Sequence, residues 1–132
     1  MSVVPSANSI DHAAFDRLVT TEFPEAAAEL DAGDRALLHM EMAAVARNTS
    51  RAIDAGDAAE VARHLAIMEA VLTSAATDVE NAVYVSYLEN VFLWDERPAF
   101  VAARKNLPPR LARALFELEE HFAMLESHRD AT

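Results

Sequence analysis

Glycine is nearly absent from this chain: Gly33 and Gly56 are the only two in 132 residues. A fold of many short strands needs tight turns, and tight turns need residues that tolerate positive φ. Little here could build them, whereas the helix formers Ala, Leu, Glu and Arg are abundant. The chain therefore reads as all-α. The expected architecture is a single-domain antiparallel helical bundle of about six to seven helices, arranged as α-hairpin, HEAT-like pairs.

The two glycines lie in related phrases, LDAGDRALLH from Leu30 and IDAGDAAEVARH from Ile53. In each, glycine can take the left-handed conformation that ends one helix while the following aspartate caps the next. These are joints between helices, since a lone glycine lacks the repeated amides that cradle a phosphate. Pro24 and Pro98 suit first turns, and Pro108-Pro109 separates the last two helices. Helices are predicted near 9–21, 24–32, 34–55, 57–73, 78–94, 98–105 and 109–127, within one domain over 9–128 preceded by a loose tail over 1–8.

The segment VENAVYVSYLENVFLW, Val79 to Trp94, has strand-favouring valines and tyrosines yet is expected to be helical. Thr77-Asp78-Val79-Glu80 has capping-box spacing, so Thr77 should accept a hydrogen bond from the Glu80 amide. At about 100° per residue, Tyr84, Tyr87, Leu88 and Val91 share one side, and Ala82, Ser86, Glu89, Asn90 and Leu93 the other. Asn81 falls on the apolar flank. A helix apolar over most of its circumference belongs at the centre, antiparallel to Val61–Leu72. The last helix carries an ordinary core stripe, Leu111, Leu115, Leu118, Phe122 and Leu125.

Composition narrows function by exclusion. Without cysteine there are no disulfides, thiolate catalysts or Cys-based metal sites. Eleven basic against 22 acidic residues give a formal charge of −11, which repels nucleic acid and anionic lipid and would steer in a basic protein. No apolar run approaches the roughly 18 residues of a membrane span, and the first residues lack an export signal. A cytoplasmic protein is expected.

Catalytic patterns are absent. Glu117, His121 and His128 share a helix face, and Glu60 precedes His64 by four residues, but neither set is H-E-x-x-H and no E-x-x-H occurs. Exposed or capping roles are expected for these histidines, with no metal and no cofactor. Ser86 lacks a nucleophile elbow. If there is a site, Tyr84, Tyr87, Asn81, Ser86, Glu89 and Asn90 are its candidates, with Glu89 expected to be a satisfied buried acceptor that fixes helix register. Trp94 is the best interaction anchor, although packing at the base of the core with Phe92, Phe100 and Phe116 is its expected role.

The order Phe15-x-x-Leu18, then Phe23-Pro24-Glu25, then Val79, Asn81, Val83, Val85, Ser86, Tyr87, Leu88 and Glu89 resembles a group of small uncharacterised bacterial all-helical domains. Their signature is N-x-x-x-x-S-[FY]-L-E, and the resemblance spans Phe15 to about Glu126. It implies a helical fold and an immunity-like binding role, with no catalytic residues to carry over. The leading expectation is a non-enzymatic protein-interaction module, a homodimer with a basic protein partner. A metal-dependent or acid–base enzyme using His121, His128, Glu117 or Glu89, and a small-molecule sensor near Tyr84 and Tyr87, are the alternatives.

Overall fold

A computed structural model describes residues 10–130; the tail expected over 1–8 and the side chain of His128 lie outside the described part. The fold is all-α, without a strand among the described residues. Its helices are α1 (His12–Glu22), α2 (Pro24–Ala28), α3 (Ala32–Arg35), α4 (Leu38–Asp54), α5 (Ala58–Ser74), α6 (Thr77–Ala82), α7 (Pro98–Lys105) and α8 (Pro109–Asp130). Between α6 and α7 the chain continues without a break as a π-helix, Val83–Leu93, called here the π segment.

Aspartates start several helices as their side-chain chemistry dictates. Asp11 accepts from the Ala14 amide at 2.9 Å, Asp31 from Asp34 at 2.7 Å and Asp57 from Glu60 at 3.1 Å. Gly56, at φ +69°, makes the α4–α5 turn as anticipated. Gly33 does not. It lies inside α3, which Asp31 caps, so the single helix expected over 34–55 is two, broken at Ala36-Leu37.

The Thr77 cap also fails. Ala76 is the N-cap residue, and the Glu80 amide bonds to its backbone carbonyl at 2.8 Å. The start of α8, by contrast, has a cap drawn from far along the chain: the Glu69 carboxylate accepts from the Arg110 and Leu111 amides at 3.0 Å each. A negative group there meets both orphan donors and the positive end of the helix.

The π segment is central, as expected, but it is not an α-helix. Its buried residues include Val83, Tyr87, Leu88, Val91 and Phe92, recurring at steps of four and five. A helix closed by i→i+5 bonds stacks such positions on one face. Its neighbours also differ from expectation. It packs mainly on α4 and α8, whereas the adjacent α5 packs on α4 and α8 in its turn. Arg104 ends the segment by donating to the Phe92 and Asp95 carbonyls, the latter at 3.2 Å.

One continuous core joins Phe15, Val19 and Phe23 to Met42, Val45, Met68, the π segment, Phe100 and Leu111. A β-bridge ties Ile10 to Ala75 through Ile10 N–Ser74 O at 2.9 Å and Ala76 N–Ile10 O at 2.8 Å.

Candidate functional site

Helix α4 carries an anomaly in its buried face. Among Met42, Ala44, Val45, Ala52 and Ile53 lie Glu41, Asn48 and Thr49, all buried. Helical spacing alone places them there, because Glu41 stands three after Leu38 and four before Val45, and Thr49 stands four after Val45. Buried polar groups need partners, and the two ends of α4 meet that need differently.

At the C-terminal end a polar chain, hydrogen-bonded from Tyr87 through Thr49 to His64 and ending in a close contact to Glu60, runs from the core to the surface. Tyr87 OH lies 2.9 Å from Thr49 Oγ1, which lies 2.9 Å from His64 Nδ1, and His64 Nε2 lies 3.0 Å from Glu60 Oε1. The direction follows from chemistry. Arg63 first, then His64, hold Glu60 below the ordinary carboxylate range, so it is an acceptor only and Nε2 carries the imidazole proton. Burial pushes His64 below its usual value and Tyr87 above its own, so both are neutral at pH 7. Thr49 therefore donates to Nδ1, and Tyr87 donates to Thr49. Phe23 packs edge-on against the His64 ring at 4.8 Å.

Carboxylate, imidazole and hydroxyl in this order have the connectivity of a nucleophilic triad. Thr49, however, is fully buried and spends its oxygen on Tyr87. No substrate carbonyl could reach it, so the chain acts as a rigid wire that fixes the His64 ring.

The surface end of the wire opens into a cleft of about 420 Å³ between α2, α4 and α5. Glu25, Asn48, Arg51, Asp57, Glu60 and His64 line it, with Pro24, Ala52 and Ala55 as apolar wall. Arg63 is held by Glu60, at 2.7 Å from Nε, and by the Glu22 carbonyl at 2.9 Å.

The N-terminal end of α4 is less well satisfied. Glu41 is 0% exposed, with His12 Nε2 3.3 Å from Oε1 and Arg35 Nε 3.4 Å from Oε2. These are ion-pair distances, yet both Glu41 oxygens and His12 Nε2 lack a hydrogen bond of proper geometry among the described residues. Arg35 prefers Asp16, donating to Oδ1 at 2.8 Å and to its backbone carbonyl at 2.9 Å. Burial, then the neighbouring Asp16 carboxyl, push Glu41 up to about 8, while Asp16 is held low by Glu41 first and Arg35 after it. At pH 7 the proton of this pair resides on Glu41. Among the described residues, no three His, Asp or Glu side chains are arranged to hold a metal ion.

The sequence candidates scatter around these features. Tyr87 is in the wire. Ser86, expected on a polar edge, is buried and 2.6 Å from His39 Nδ1. Tyr84 donates to Glu117 at 3.0 Å, and burial followed by that carboxylate raises it to about 12. Asn90 donates to the Ser86 carbonyl at 2.8 Å. Asn81, still within α6, is exposed and not on an apolar flank; Glu89 is only half-buried, since the wider π turn rotates the residues after Ala82.

Trp94 and Phe116 do not seal the core: they are 62% and 59% exposed, while Phe92 and Phe100 are buried. Phe116 projects from the outer face of α8, and Trp94 follows the end of the π segment, resting edge-on against Phe122 at 5.2 Å. His64 corrects the expectation of exposed or capping histidines, with 1% of its surface accessible. His121 is exposed beside Phe122. Glu41, Asn48 and Thr49 escaped the sequence reading, although polar residues in an apolar helical stripe were the available signal.

No curated protein and no solved structure matches the chain. A family does match, over residues 17–123, which takes in both ends of α4, the wire, the cleft wall and most of α8: the chain belongs to the family described as a domain of unknown function, DUF7674.

Proposed function

We propose that this domain is a non-enzymatic protein-interaction module that docks a basic partner on the face formed by Trp94, Phe122 and Leu125. The observation that carries the reading is a continuation of the core that the described residues leave uncovered. On α8, Leu118, Phe122 and Leu125 follow one another at steps of four and three, in line with the buried Leu111 and Leu115. Leu118 is buried, Phe122 partly so, and Leu125 is 45% exposed, with Trp94 edge-on against Phe122. A contiguous apolar patch anchored by an aromatic is what an interface presents. Exposed Glu119, Glu120 and Glu126 on α8 lend it an acidic surround.

Those carboxylates favour a basic protein over a second copy, since a homodimer through this face would bring like charges together. The immunity-like form of the reading, set in the cytoplasm, makes that partner a toxin. Among the described residues no helix is long and apolar enough to cross a membrane.

Trp94 is the only tryptophan, so its emission reports directly on the face. A synthetic amphipathic Leu/Lys peptide should shift the emission to shorter wavelength, an effect weakened by salt and lost in Leu125→Glu. No shift, an equal shift with a Leu/Glu peptide of the same pattern, or a stable dimer in light scattering would each reject the reading.

A further inference from the structure

The cleft at the end of the wire is a separate feature from the Trp94 face, and its lining is unbalanced. Glu25, Asp57 and Glu60 face Arg51 and Arg63, and the neutral His64 adds no charge. Both cations are already engaged: Arg63 with Glu60 and Glu22, and Arg51 with Glu29 at 3.2 Å. Glu25 and Asp57 have no ion pair among the described residues.

Several lining residues keep an acceptor atom uncommitted. Asp57 spends Oδ1 on the Glu60 amide and has Oδ2 to offer. Glu60 takes Arg63 and His64 on Oε1 alone. Asn48 is the telling residue, because it is only 7% exposed yet lines the cleft. Its amide nitrogen makes one long contact, 3.4 Å to Glu25 Oε2, and its carbonyl oxygen accepts nothing from the described residues. That oxygen is not sealed in the core but opens to the cleft, where a donor from outside the chain can meet it.

From this lining we infer that the cleft is a binding site for a small organic cation with a primary ammonium group. An ammonium brings three donors to the oxygens of Asn48, Glu25, Asp57 and Glu60, and a short alkyl body rests on Pro24, Ala52 and Ala55. The volume of about 420 Å³ suits a molecule of that size. The wire contributes by holding His64 neutral, with its Nε2 proton directed at Glu60, so that no titrating cation competes at neutral pH. A metal ion fits less well, since no ligand set of that geometry occurs among the described residues.

The test is calorimetric titration of the whole chain with 1,4-diaminobutane at fixed ionic strength, alongside magnesium, inorganic phosphate and potassium chloride. Saturable binding of the diamine alone is expected. Glu25→Gln and Asp57→Asn should each weaken it by about tenfold, the worth of roughly one charge-assisted hydrogen bond. Asparagine still caps a helix, so Asp57→Asn keeps the start of α5; circular dichroism checks this, and Glu25→Gln decides alone if helix is lost. Heat no different from potassium chloride, saturation by magnesium or phosphate instead, or unchanged affinity in both variants overturns the assignment.

Discussion

The two ends of α4 bury polar groups by opposite means. At Thr49 the two hydroxyls both find acceptors, Tyr87 on Thr49 and Thr49 on His64, whose Nε2 lies 3.0 Å from Glu60. At Glu41 a carboxyl with 0% exposure has ion-pair neighbours but no hydrogen bond of good geometry among the described residues. The first arrangement needs a neutral imidazole between an ionised Glu60 and two hydroxyls, and is satisfied at neutral pH. The second avoids its unmet charge by keeping a proton. A buried polar residue can thus be stabilised by connectivity or by titration, and one helix shows both.

The largest effect should come from cutting the wire. Thr49→Val keeps the shape but strands a Tyr87 hydroxyl and a His64 nitrogen, and we expect a loss of about 3 kcal/mol in urea unfolding. Adding Tyr87→Phe should recover part of that loss, because one stranded donor goes with it. A double variant at least as unstable as the sum of the two singles would show that the hydroxyls do not act as a chain.

Glu41→Gln should act in the opposite sense. The folded-state value of about 8 lies above the ordinary carboxylate value of 4.5, so ionisation in the unfolded chain destabilises the fold as pH rises from 4.5 toward 8. Glutamine removes that slope. The variant should match the wild type near pH 4.5 and exceed it by about 2 kcal/mol at pH 8. The lowered His64 works the other way, with stability lost as pH falls below the ordinary imidazole value of 6.5. A Glu41→Gln difference independent of pH would undo the contrast between the two ends.

The smallest effect belongs to the polar contact at the margin. Ser86→Ala removes the 2.6 Å link to His39, but His39 is exposed and water replaces the partner. A cost of about 0.5 kcal/mol is expected. A loss comparable to that of Thr49→Val would mean that the wire is not distinctive.

Much of the fold was legible before any coordinates. Scarce glycine, capping aspartates and placed prolines mark the all-α class and most joints, because these signals are local. The Thr77 cap failed where Ala76 took the N-cap position, and the Gly33 turn failed where Asp31, not Asp34, capped the helix and drew Gly33 inside it. The π segment was hidden because sorting at 100° per residue presumes the α repeat. Of the site, Tyr87 and Ser86 were found on their own helix, but their partners His64, Thr49 and His39 come from other helices, and nothing local announces such pairing. Glu41 and Asn48 were visible in principle as polar interruptions of a stripe, and the abundance of alanine around them blurred it.

The Ile10–Ala75 bridge has a kinetic consequence. By joining two points 65 positions apart (75 − 10), its backbone bonds enclose α1 to α5 in a single ring. Loop-closure entropy rises with the logarithm of ring length, and long-range contacts are rewarded only after that entropy is lost. The α4–α5 hairpin, closed by a few residues around Gly56, should assemble first. The ring should latch late, making the Ile10 and Ala76 amides a clock for the last step in refolding followed by pulsed hydrogen exchange.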